Sequence, residues 1–126
     1  GSDASPEMIR LFSDRFPAAP VECAPVETAP FFGRTFDGVL AWGLVFLLGE
    51  DAQRAAIRRM AGACGKGALL FTAPEQPIEW VDVLTGRRSV SLGRAGYVAA
   101  LDAAGLALTG EDTDEGENHY WIATRA

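Results

Sequence analysis

The chain has one histidine, two cysteines and 11 basic side chains against 17 acidic ones, and each shortage excludes something. Cys23 and Cys64 lie far apart, share no Cys-x-x-Cys spacing and have no histidine beside them, so neither a metal site nor a disulfide framework is expected. Two reduced thiols in a cytoplasm are the expectation instead. The formal charge is −6, the pI is near 4.7, and Lys and Arg form no cluster. Such a chain has little with which to displace counterions from a nucleic-acid backbone, and a small molecule is the better-matched partner. No apolar run is long enough to span a bilayer, which argues against a membrane partner, and no cleavable leader is visible. Internal repeats, low-complexity tracts and signs of a second domain are also missing.

What is present, 48% hydrophobic and 22% charged residues over 126 positions, suits one folded domain or less. Its elements alternate. Ser5 is a good N-cap, Pro6 suits a first helical position, and Met8, Ile9, Phe12 and Phe16 give the following helix an apolar face that stops at Pro17. Residues 21–24 are β-prone between prolines and make a marginal strand. Residues 36–42 make a stronger one, whose nearly continuous apolar run suits a strand covered on both faces. A helix follows from about Asp51, with Ala56, Ile57, Met60, Ala61 and Cys64 on one side, Arg54, Arg58 and Arg59 on the other, and Gly65 at its stop. Residues 68–72 read as another buried strand.

Residues 73–88 contain Pro74, Pro77 and Gly86 without a clean period, and are expected to form a long loop of the kind that often carries function. Ser91 can cap a helix bearing Tyr97, Val98 and Leu101, closed by Gly105. Residues 106–111 and 119–124 then read as two strands around an acidic turn. With no helix between them, they must run antiparallel.

The opening residues carry the sharpest signal. Asp3 stands where a strand runs into a capped helix, the place at which mononucleotide-binding α/β folds grip a ribose. The glycine-rich turn that should precede it is not in the sequence. The expectation is roughly the back two-thirds of a cofactor-binding domain, with Gly1-Ser2 either native or a cloning remnant.

Asp3-Ala4-Ser5-Pro6-Glu7-Met8 resembles the Asp-x-Ser-x-x-Met turn after the second strand of class I S-adenosylmethionine-dependent methyltransferases. Residues 36–39 resemble that family's fourth strand, and residues 65–72 the turn into its fifth. Phe71-Thr72-Ala73-Pro74, Trp80 with Asp82, Leu84-Thr85-Gly86, Ser91-Leu92-Gly93, Tyr97 and the run 114–120 are similar to one bacterial subgroup acting on small molecules. The resemblance covers the chain from Asp3 onward. It implies an α/β, Rossmann-like sheet ordered 3-2-1-4-5-7-6 with a closing antiparallel hairpin, incomplete because the first strand and its glycine-rich turn are absent. Residues 1–126 would then be the C-terminal part of one domain.

The resemblance further implies S-adenosylmethionine as cofactor and a small-molecule methyl acceptor, in a chain inactive by itself. Asp3 would bind ribose, against a plain second helix cap. Ala4 and Met8 would line adenine, though Met8 could equally be helix core. Pro25 stands where many relatives have an adenine-binding Asp, which leaves adenine to the backbone at Val26 and to Glu27. Ala41 and Trp42 lie at a strand's carboxyl end, where such sheets bind ligands, although Trp42 could also be a packed aromatic.

Glu75, Trp80 and Asp82 face the substrate side or are a solvated loop. Asn118 and Tyr120, with Glu115, are candidates for a polar substrate. His119 is the one side chain of the type ordinarily used as a base near neutral pH, and a structural tie between the last strand and the acidic turn is the favoured alternative. No metal ligand set is expected. An unpaired edge on the strand at 36–42 could self-associate, with residues 21–24 loosely placed or moved into the vacancy. Two rivals remain: a nicotinamide-binding Rossmann oxidoreductase, which would lack the closing hairpin, and a non-catalytic interaction module.

Overall fold

The computed structural model describes residues 1–126. The chain opens with a short strand β1 (Ser2–Asp3), helix α1 (Pro6–Arg15) and strand β2 (Glu22–Cys23), and β1 and β2 pair in parallel. Ser5 accepts from the Met8 N–H through Oγ, Pro6 occupies the first turn and Glu7 places a carboxylate near the positive helix end. The apolar face of α1 is nonetheless uncovered. Met8, Leu11, Phe12 and Phe16 are all exposed, and α1 buries no residue.

Residues 21–24 neither hang loose nor move beside the strand at 38–41, because Glu22 and Cys23 are in register with Ser2 and Asp3. Glu22 also orders the turn beyond β2. Its carboxylate accepts from the Phe31 and Phe32 N–H groups at 3.0 and 3.3 Å. Phe31 and Phe32 both take positive φ there (47° and 59°), a conformation costly for residues with a Cβ.

The main sheet has the order β3-β4-β8-β7, formed by Gly38–Ala41, Ala68–Thr72, His119–Arg125 and Leu106–Thr113. β3 and β4 are parallel, and β8 is antiparallel to both β4 and β7. Placing the last strand between β4 and β7 counts against the nicotinamide-binding alternative, whose sheet does not close this way. β3 begins two residues later than expected and is covered on one face only. Ala41 is buried, whereas Leu40 is 67% exposed and stands in register with half-buried Leu70, itself in register with Ile122. Gly67 admits the approach to β3, since a Cβ there would lie 1.9 Å from the Asp37 carbonyl oxygen.

Helices α2 (Glu50–Ala63) and α3 (Gly93–Ala103) pack together on the buried side. α2 buries the expected Ala56, Ile57, Met60 and Ala61, and Cys64 follows them inside. Ser91 lies one residue outside the cap position of α3, yet its Oγ accepts from the Gly93 N–H at 3.0 Å and donates to the Pro74 carbonyl at 2.6 Å. Between helices and sheet, Phe71, Tyr97 and Trp121 form one aromatic cluster with ring separations of 5.2 to 6.5 Å.

Inside this core lies Gln53, fully buried. Its Nε2 donates to the Leu48 and Val90 carbonyls, and its Oε1 accepts from the Tyr97 hydroxyl at 2.6 Å. Burial pushes the Tyr97 hydroxyl pKa up, against smaller lowering by hydrogen bonds with the Leu92 backbone and Ser91. Arg125 donates to the carbonyls of Ala61, Gly65 and Ala104, a cation placed at the carboxyl ends of both α2 and α3.

The expected loop at 73–88 is a β-hairpin instead. β5 (Glu79–Val81) pairs antiparallel with β6 (Arg88–Val90). The turn between them is built on Asp82, whose Oδ2 accepts from both the N–H and the hydroxyl of Thr85. Its prolines precede β5 and its glycine sits at positive φ in the turn, so neither interrupts a strand.

Candidate active site at the carboxyl edge of the sheet

The antiparallel insertion of β8 decides where the site lies. Because β8 runs against β4, its first residues meet the last residues of β4: Tyr120 is in register with Thr72, and Trp121 with Phe71. Ala41 at the end of β3 is in turn in register with Phe71. Three chain segments distant in sequence, 41–43, 72–74 and 118–120, therefore gather at one edge. This is the edge at which open α/β sheets bind ligands.

Hydrogen bonds make that edge firm. The Gly43 N–H donates to Thr72 Oγ1 at 2.7 Å, Trp121 Nε1 donates to the Ala73 carbonyl at 3.1 Å, and the Ala73 N–H donates to the His119 carbonyl. Trp42 is half exposed, with its ring 6.1 Å from that of Tyr120.

A cavity of about 240 Å³ opens beside these residues, lined by Phe46, Thr72, Ala73, Pro74, Trp80, Asp82, Glu117, Asn118 and His119. Of the substrate candidates, Trp80, Asn118 and His119 line it, together with Asp82. Glu75 is exposed outside the lining, and Tyr120 also lies outside it, with its ring tilted against that of Trp42. Sequence reasoning missed Phe46, which sits in the short 3₁₀ turn Val45–Leu47 after β3 and places its ring 5.5 Å from Trp80. It also missed a lining role for Thr72 and Glu117. The position of Thr72 at the end of a parallel strand was the available signal for it.

His119 is enclosed. Its Nδ1 meets Thr113 Oγ1 at 2.9 Å, its ring abuts Trp121 edge-on at 4.6 Å, and its Nε2 is buried, 3.5 Å from Glu111 Oε1 and without a hydrogen bond. Glu111 is also paired with Arg94. The adjoining turn is held by Asp114, whose carboxylate accepts from Asn118 N and Nδ2. The Asn118 backbone bond is the main cause that keeps its pKa below the usual 3.8.

The cofactor candidates occupy the ends of the other strands. Asp3 ends β1; its Oδ1 accepts from the Ser5 N–H at 2.8 Å, which leaves Oδ2 open on an exposed ledge. A carboxylate with one oxygen fixed and one free fits a ribose diol. Ala4 and Met8 are exposed beside it. Val26 and Glu27 follow β2 half-buried, with Val26 packed toward the core.

Another cleft is larger, about 800 Å³ and more open, and lies between the turn at 30–35 and the Arg58–Ala63 end of α2. Its residues precede β3 and β4, which puts it at the opposite edge from the gathered strand ends. Both cysteines are free, no helix is long and apolar enough to cross a membrane, and no three His, Cys, Asp or Glu side chains group as metal ligands.

No protein-family model and no curated protein sequence matches the chain. Solved structures do. The chain is similar to CalS10, an amino pentose methyltransferase from Micromonospora echinaspora, with a TM-score of 0.80 and 19% identity over 100% of this chain and 73% of that one. It is similar to the CcbJ methyltransferase from Streptomyces caelestis (TM-score 0.79, 14% identity, 100% and 78%). It is also similar to SAM-bound magnesium protoporphyrin IX methyltransferase from Synechocystis (TM-score 0.71, 14% identity, 100% and 58%). Identities this low speak to architecture, and on that ground the chain carries the Rossmann-like fold of the class I S-adenosylmethionine-dependent methyltransferases.

Proposed function

We propose that residues 1–126 form the C-terminal part of an S-adenosylmethionine-dependent methyltransferase acting on a small molecule. One observation carries the reading: the cavity of Phe46, Trp80, Asn118 and His119 adjoins the carboxyl ends of β3 and β4. In this reading Asp3 takes the ribose hydroxyls through its free oxygen, Ala4 and Met8 border adenine, and Val26 and Glu27 supply the rest of the adenine contact. Ala41 and Trp42 separate the cofactor from the acceptor cavity. The methionine half would be gripped by a strand and glycine-rich turn set between β1 and β3, where the two sheets of this chain are not joined.

The cofactor supplies an electrophilic methyl group on a sulfonium. The protein's task is to align an acceptor atom with it and to exclude water, which Phe46, Trp80 and the pinned 72–74 segment do without an acid. With Nδ1 held by Thr113 and Nε2 buried beside Glu111, His119 acts as a positioning residue that fixes the start of β8 against β7. Its replacement by Gln should keep the methyl-transfer rate within about tenfold, since losing a general base costs about a hundredfold or more.

The free thiols suit the cytoplasm of a bacterial cell. The unpaired β3 edge, with Leu40 and Trp42 exposed, is where two copies would associate when that edge is left open. The direct test is Asp3→Ala in a protein carrying the preceding strand and turn. Cofactor affinity should fall by about 1.5–3 kcal/mol as a charge-assisted bond is lost, and unchanged affinity would overturn the ribose assignment.

A further inference from the structure

The lining of the acceptor cavity has a sign. It contains two carboxylates, Asp82 and Glu117, one amide, Asn118, one imidazole, His119, whose Nε2 faces Glu111, and neither Lys nor Arg. Of the arginines on the adjoining elements, Arg94 is committed to Glu111 and Arg88 to Glu79, and Arg87, in the hairpin turn, is not part of the lining. Asp82 uses Oδ2 on Thr85 and keeps Oδ1 without a partner. The Glu117 carboxylate has no hydrogen-bond or ion-pair partner. Its backbone is held at φ 64° by its own N–H bond to the Asp114 carbonyl, so the side chain leaves a fixed turn. The Phe46 and Trp80 rings, 5.5 Å apart, line the same cavity, and aromatic faces attract cations.

We propose that the acceptor is an amine, recognised by Asp82, Glu117 and the Phe46–Trp80 wall. This rests on reading the cavity as the methyl-acceptor site. A carboxylate or phenolate acceptor would enter a cavity bearing two like charges and neither Lys nor Arg to offset them, and would be repelled. An amine binds as its ammonium and yields a proton to solvent before reacting. The nitrogen lone pair then forms the new C–N bond while the C–S bonding pair leaves with sulfur as a neutral thioether. Positive charge thereby passes from the sulfonium to the acceptor nitrogen, and the surplus N–H proton leaves to water. Carboxylates on the acceptor side favour charge arriving there, whereas an anionic acceptor ends neutral and gains nothing from them.

The test needs no methyl donor. The 126-residue chain is titrated at neutral pH with cyclohexylamine, cyclohexanol and cyclohexanecarboxylate, following the Trp80 indole N–H by NMR. The amine should bind at least ~10-fold more tightly than the alcohol, and the carboxylate should not saturate the signal. Asp82 also builds the hairpin turn, so the informative variant is Glu117→Gln, which removes charge from a side chain with no structural partner. It should cut the amine preference by ~3-fold or more and leave alcohol binding unchanged. Equal binding of amine and alcohol, tighter binding of the carboxylate, no amine response up to its solubility limit, or an unaffected Glu117→Gln variant would each overturn the assignment. Failure of the methyltransferase reading is registered separately, by the Asp3→Ala cofactor measurement.

Discussion

The two ends of this molecule are held by different forces. Ala29 is the first buried residue in the chain, so the unit formed by β1, α1 and β2 rests on backbone pairing, a helix cap and surface ion pairs such as Arg10 with Glu7 and Asp14. From Ala29 onward, buried aromatic and aliphatic side chains dominate, with Gln53 satisfied among them. The junction is polar: Arg59 of α2 donates to the carbonyls of Thr28 and Ala29. The proposed acceptor cavity thus adjoins a well-packed core, whereas Asp3 sits on a unit with little apolar burial of its own. That difference places the proposed ribose contact on the part of the fold most dependent on further contacts.

The largest expected effect lies in the packed core. Trp121→Ala removes the ring shared by Phe71, Tyr97 and His119 and the donor to Ala73, and should destabilise the chain by about 3–5 kcal/mol in chemical denaturation. Gln53→Leu keeps the volume but takes the acceptor from the Tyr97 O–H and the donor from the Val90 carbonyl, and a loss of about 2–3 kcal/mol is expected. In the N-terminal unit, Ser5→Ala should cost about 1 kcal/mol of local helix stability. Hydrogen exchange in α1 should quicken while the global melting temperature stays put, and a shift of the whole transition would erase the contrast between the two regions.

The smallest effect concerns Asp114. Its pKa is lower folded than unfolded, so its contribution to the β7–β8 turn is present above the ordinary value of 3.8 and is lost as pH falls through the folded value. Asp114→Asn should remove that acid-side dependence, read from the turn's amide shifts.

Local signals carried much of this architecture. Ser5-Pro6-Glu7 marks a helix start, Ala68–Thr72 is an apolar run bounded by glycine, and strands joined by the short turn at 114–118 have no room for a crossover. What the sequence hid depends on partners far away. Residues 73–88 look irregular because the β5–β6 pairing is short and its side chains alternate weakly. The apolar face of α1 reads as a buried face, yet no residue of this chain covers it. Gln53 and Arg125 read as surface residues, since only the tertiary fold brings Tyr97 to the one and two helix ends to the other. Of the residues lining the cavity, Trp80, Asn118 and His119 were already singled out in the sequence, while Phe46 and Glu117 join them only once the hairpin and the β7–β8 turn close on the same edge.

The most direct test of the account is calorimetric titration of S-adenosylmethionine into residues 1–126, alongside the same chain joined to a preceding strand and glycine-rich turn. Hydrogen bonds made in contact with water return only about 1 kcal/mol each, too little to immobilise a ligand on an open ledge around Asp3. The account predicts no measurable heat for residues 1–126 and micromolar binding for the joined protein. Micromolar binding by residues 1–126 alone, or none by the joined protein, would contradict it.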